Sequence, residues 1–168
     1  GHSRFFLIIT TVSGAVTGVG IWFSISLVSP DGTASLIQSF TLAWALEYLF
    51  FVAELATAFV YYYTWDRVSK ETHLLLARLY MVFSIMTLVI INGIITFMLT
   101  PGKWIESHNW LDGFLNPTYF PGLIIRMLIM AAIAGMYALV TSSRIPDPHF
   151  RTYMVRFCAK WLIPIFLL

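Results

Sequence analysis

Apolar residues fall in four long blocks, about 5–28, 36–64, 74–100 and 119–141. Each exceeds the ~20 residues that carry a helix across a bilayer. Polar segments rich in turn formers separate them: SPDGTAS, WDRVSKETH, TPGKWIESHNWLDGFLNP and SSRIPDPHFR. A fifth block, about 153–168, is still apolar at Leu168. The pattern predicts an all-α membrane protein, a bundle of four complete transmembrane helices plus a fifth at the C-terminal end, forming a single domain over 1–168. The open end WLIPIFLL and the start GHSR, which has no initiator Met, lead us to expect a longer polypeptide. The first block is too long for a cleavable signal and lacks a small-residue cleavage site, so it is expected to remain as a helix.

Composition supports the membrane reading. Hydrophobic residues make up 59% of the chain and charged ones 11%, against roughly 25% charged in a soluble domain. The net charge is +2 and the basic residues form no patch, which argues against nucleic acid as a partner. One cysteine, Cys158, excludes a disulfide framework or a two-cysteine haem-attachment motif within these residues. Arg4, Arg67, Lys70, Arg144 and Arg151 flank the blocks on one side and Lys103 on the other. By the positive-inside rule the N-terminus is expected in the cytoplasm. Tyr61, Tyr62, Tyr63 and Trp65 on one side, and Trp104, Trp110 and Tyr119 on the other, read as interfacial aromatic belts.

Ionisable groups inside these blocks carry the candidate chemistry. Such a group costs about 2.5–3.5 kcal/mol at the centre of a spanning helix and normally faces the bundle interior. Glu47 and Glu54 are seven residues apart, which returns a helix to nearly the same face ~10 Å along its axis. Asn92 and Arg126 fall in the outer half of the membrane, where Arg126 is expected either to snorkel outward or to pair with Glu47 and Asn92. Two readings stay open: an ion pair that fixes helix packing, or a proton path or cofactor contact, since a buried carboxyl group can exchange protons near neutral pH. The four histidines, His2, His73, His108 and His149, all lie outside the block centres, and His2 is the best placed of them to meet a haem near the cytoplasmic surface. Met127, Met130 and Met136 fit gap-filling packing better than ligation.

Several stretches together resemble subunit I of the cytochrome bd quinol oxidases. The segment FVYYYTWDRVSKETH carries Trp65-Asp66-Arg67, Lys70 and His73, and Glu54 stands eleven residues before Trp65, as the family's glutamate does. GAVTG at 14–18, MLTPG at 98–102 and NPTYFPGLIIRML at 116–128 follow in the family's order. The resemblance covers nearly the whole chain, from the family's second helix onward. It implies a quinol-oxidising, haem-bearing membrane subunit that draws protons from the cytoplasm, with Glu54 matching the glutamate of the proton route.

The resemblance also shows where the chain departs from the family. The haem-contacting glutamate eight residues before Glu54 would fall at Leu46, with Glu47 one residue out of register; the family asparagine falls at Ile95, about one turn from Asn92. The axial histidine of the low-spin haem falls at Ile125, next to Arg126. These substitutions argue against a working oxygen reductase.

Three functions are carried forward. The first is a cytochrome bd subunit I-like component of a respiratory electron-transfer complex with an altered haem or quinol site. The second is a haem-free membrane scaffold or anchor, and the third a proton path coupled to redox partners. The expected site is Glu54 and Glu47 for protons, with Glu47, Asn92, Arg126 and His2 as cofactor contacts. Expected cofactors are b-type haem and quinol, and expected partners are the lipid bilayer and other membrane and cytochrome subunits.

Overall fold

A computed structural model describes the backbone of residues 2–163 and the side chains of residues 4–163. It is helical, with no strand among the described residues, in the order α1 (His2–Val28), α2 (Pro30–Ser39), α3 (Thr41–Tyr63), α4 (Lys70–Leu99), α5 (Trp104–Ser107), α6 (Trp110–Phe114), α7 (Tyr119–Ser142) and α8 (Pro148–Ala159). Four of these, α1, α3, α4 and α7, are long and apolar enough to cross a membrane. The shortest, α3, has 23 residues and spans ~35 Å, more than the ~30 Å of hydrocarbon. Hydroxyls inside the spans are satisfied locally: Thr10, Thr17, Ser24 and Ser26 of α1 each donate to the carbonyl four residues earlier. The chain divides into two compact units, Gly1–Tyr119 and Phe120–Leu168.

Within the first unit, α1, α3 and α4 run up, down and up. Arg4 of α1 donates to the Tyr62 carbonyl at 3.1 Å, and Trp22 meets Trp44 edge-on at 4.8 Å. These pairs fix α1 antiparallel to α3, touching it near both ends. Ser69 caps α4 by accepting from the Thr72 amide, and Glu71 lies in the first turn, where the helix dipole favours an acid.

The block expected as one helix over 36–64 is broken at Phe40, and helix already begins at Pro30 inside the expected connector. Pro30 is preorganised for a first turn. The break lets Leu36, Phe40 and Ala43 converge on Ile90 and Ile94 of α4 in the apolar core. Phe40 is 1% exposed and packs on Phe97 edge-on at 4.6 Å.

The same end of the unit is closed by the long connector between α4 and α7. Asn116 donates to Thr96 Oγ1 at 2.9 Å and to the Gly113 carbonyl at 3.0 Å, and its Oδ1 accepts from the Thr118 amide. Tyr119, expected in an aromatic belt, is instead buried, its hydroxyl donating to the Val89 carbonyl. Gly102 sits at φ +59 beneath Pro117, whose Cδ would lie 2.7 Å from an added Cβ. Both the backbone conformation and the close approach require glycine there. Thr-Pro-Gly and Asn-Pro, far apart in sequence, are therefore two halves of one contact.

In the second unit α8 folds back on α7. Ser142 Oγ lies 3.7 Å from Cys158 Sγ, and Gly135 lets Trp161 approach so closely that an added Cβ would stand 2.9 Å from the Trp161 Cβ. Asp147 caps α8 by accepting from the His149 amide, and Pro148 occupies its first turn. The fifth apolar block thus starts inside α8, whose 12 residues reach ~18 Å, short of a bilayer. Its last part, 164–168, lies outside the described residues.

Candidate functional site

The packing of α3 on α4 follows a seven-residue step. It passes through Phe40 at the N-cap of α3 and Glu47, Glu54 and Tyr61 within it, and on α4 through His73, Tyr80, Thr87 and Ile94. Observed contacts set the register: the Tyr61 and His73 rings stack with centroids 4.1 Å apart, Phe50 meets Phe83 at 6.3 Å, and Phe40 and Ile94 share the core cluster. Because the helices are antiparallel, one step along α3 matches one step back along α4. The seam is therefore apolar at the Phe40 end and polar from Glu47 to His73.

Glu54 is the centre of that polar stretch. Its carboxyl faces the hydroxyls of Ser84 and Thr87, and the Tyr80 phenol lies within electrostatic reach. Thr87 is anchored by donating to the Phe83 carbonyl at 3.0 Å. Glu47 interacts with Glu54 along α3, and both carboxylates are half-buried. The pair therefore shares one face, as the sequence spacing predicts. Leu46 is 40% exposed and turned away from it, so the acid shifted by one residue, rather than the position matching the family's glutamate, joins the seam.

An aromatic cluster ends the seam. His73 stacks on Tyr61 and lies 4.6 Å from the Trp65 ring, which in turn meets Tyr61 at 5.3 Å. Both imidazole nitrogens are buried without a hydrogen-bond partner among the described residues. Arg4 covers the cluster, its guanidinium 4.7 Å from the Tyr62 ring centroid and 5.9 Å from that of Trp65. Asp66 makes the turn with φ +64, a conformation that Asp tolerates better than most residues. The stretch Trp-Asp-Arg thus sits where α3 leaves the membrane-length segment.

Of the other expected site residues, Asn92 lies outside the seam. Asn92 is fully buried at the closed end of the unit, where its side-chain amide donates to the Tyr119 carbonyl at 2.9 Å. Arg126 is half-buried on α7, in the second unit. His2 opens α1, and its side chain lies outside the described residues. Ile125, at the position of the family's axial histidine, is 46% exposed. Leu46, Ile95 and Ile125 offer no donor atom, so the positions that the resemblance assigns to haem contacts do not fit haem. Among the described residues, no three His, Cys, Asp or Glu side chains form a metal site.

Sequence reading missed Tyr80, Ser84 and Thr87. Their signal was present: steps of four and three place them on one face of α4, opposite the glutamates. It becomes legible only once α4 is known to pack on α3 in this register. Searches of protein families, curated proteins and solved structures found no match to the chain.

Proposed function

We propose that this chain is a membrane subunit of a respiratory electron-transfer complex, similar to cytochrome bd subunit I but not itself an oxygen reductase, and that its own contribution is a proton path along the α3–α4 seam. One observation carries the reading. Glu54, the residue anchored by the Trp65-Asp66-Arg67 spacing, faces two hydroxyls and a phenol on α4, in a seam that ends at the His73 imidazole, whose ring nitrogens are buried. Intramembrane Glu and His chains of this kind serve as proton relays. The chemistry asked of the residues is small. A carboxyl group accepts a proton from the His73 end, turns about its side-chain bonds, and passes the proton toward Glu47, while Ser84, Thr87 and Tyr80 bridge between positions.

The distribution of Lys and Arg supports a cytoplasmic N-terminus, with His73 and Arg4 on the cytoplasmic side from which the path draws its protons in a bacterial inner membrane. In this reading b-type haem and quinol are cofactors of the assembled complex, and cytochrome subunits are the partners. The alternative is a haem-free scaffold, favoured by Asn92, whose amide is used in packing rather than turned toward a cofactor. An optical spectrum of the purified, reduced complex separates the two. A b-type band is expected, whereas a spectrum with no haem band overturns the electron-transfer reading and leaves the scaffold.

A further inference from the structure

The exposed face of α8 sets two cations, Arg156 and Lys160, beside the rings of Tyr153 and Phe157. His149, Thr152, Tyr153, Arg156, Phe157 and Lys160 line a shallow groove of about 710 Å³. They recur at the three- and four-residue steps of one helical face. The opposite face is committed to the fold: Cys158 is buried against Ser142, and Arg151 donates to the Ile145 carbonyl at 3.4 Å. Arg156 and Lys160 are exposed, and no acidic residue occurs between Pro148 and Leu168 to neutralise them.

Depth in the bilayer decides what such a groove meets. With 24 residues, α7 spans ~36 Å and so carries Ser142 to the headgroup level. Cys158 packs beside Ser142, which puts Arg156 and Lys160 at that level too, while Trp161 lies deeper, against Gly135. Tyr153 and Phe157, 64% and 48% exposed, supply the amphipathic rings that settle at this boundary.

We propose that the α8 groove binds an anionic phospholipid of the adjoining leaflet, with Arg156 and Lys160 holding the phosphate and Tyr153 and Phe157 lying along the first carbons of the acyl chains. The charge is complementary, the depth matches, and the rings cover an apolar stem beside a charged head. The proposal requires a membrane-embedded chain but neither proton transfer nor haem, so it stands or falls apart from the functional reading above.

The purified full chain, delipidated and placed in nanodiscs containing phosphatidylglycerol or phosphatidylcholine, provides the test. Native mass spectrometry would count the retained lipid. Each cation is expected to contribute about fivefold in affinity, so Arg156→Gln with Lys160→Gln should weaken phosphatidylglycerol retention ~thirtyfold and leave phosphatidylcholine retention unchanged. Arg67→Gln, a charge change in the other unit, should not alter retention. Equal retention by the wild type and the double variant, or an equal loss in Arg67→Gln, would overturn the proposal. Displacement of the lipid by inorganic phosphate at millimolar concentration would also overturn it, since the site would then read phosphate alone.

Discussion

Glu54 and Gly93 show two opposite uses of a single position. Glu54 places a carboxyl where apolar side chains surround it, and the fold answers with hydroxyls from α4. Gly93 supplies nothing, and that is its role: an added Cβ would stand within 2.6 Å of two Phe114 ring carbons. Such overpacking costs about 1–3 kcal/mol when the neighbour cannot move. Gly93→Ala is therefore expected to lower the thermal unfolding midpoint of the purified protein, and Phe114→Leu should restore part of the loss by making room. An unchanged midpoint in the single variant would mean that Phe114 does not pack there. Glu47 and Glu54 were legible from sequence because a charged residue in an apolar block stands out. Gly93 was not, since a glycine in an apolar helix looks the same whether or not a ring rests on it.

Helices pair through faces, and at this scale the α3–α4 seam is the feature that matters. Its polar part is built from both helices, so Ser84 and Thr87 belong to the site as much as the acids they face. Replacing them together by apolar residues of similar shape, Ser84→Ala with Thr87→Val, should slow quinol-dependent turnover at least severalfold while leaving assembly of the complex intact. Turnover at the wild-type rate would remove α4 from the path. The spans themselves were readable, because long apolar blocks have few other solutions. The break at Phe40 was not. Nothing in SLIQSFTLAWALEY marks a stop, and only the convergence of Leu36, Phe40 and Ala43 on α4 explains it. Likewise, α5 and α6 are each a single turn within a connector, held by Gly113 among Phe40, Phe97 and Trp104 rather than by local sequence.

For the molecule as a whole, the distribution of charge predicts an orientation in the membrane, and the proposed path takes its direction from it. Arg4, Arg67 and Lys70 gather at the His73 end of the first unit, and Lys103 lies at the closed end. Cysteines introduced singly at Ser107 and Ser143, in a chain with Cys158→Ser, report the orientation. A membrane-impermeant thiol reagent added outside intact cells should label the first and spare the second. The reverse pattern would invert the path and put His73 on the wrong side for proton uptake. Three of the motifs noted in the sequence meet their neighbours in space: Gly102 beneath Pro117 joins two of them, and Trp65 beside His73 ends the seam in a third.

The most direct measurement is quinol-dependent proton uptake and turnover by the assembled complex carrying Glu54→Gln, which keeps the size and hydrogen-bonding capacity of the side chain but cannot give up a proton. A proton-carrying seam requires both rates to fall at least tenfold while the reduced spectrum and subunit content match the wild type. Wild-type rates in that variant would contradict the seam as a proton path.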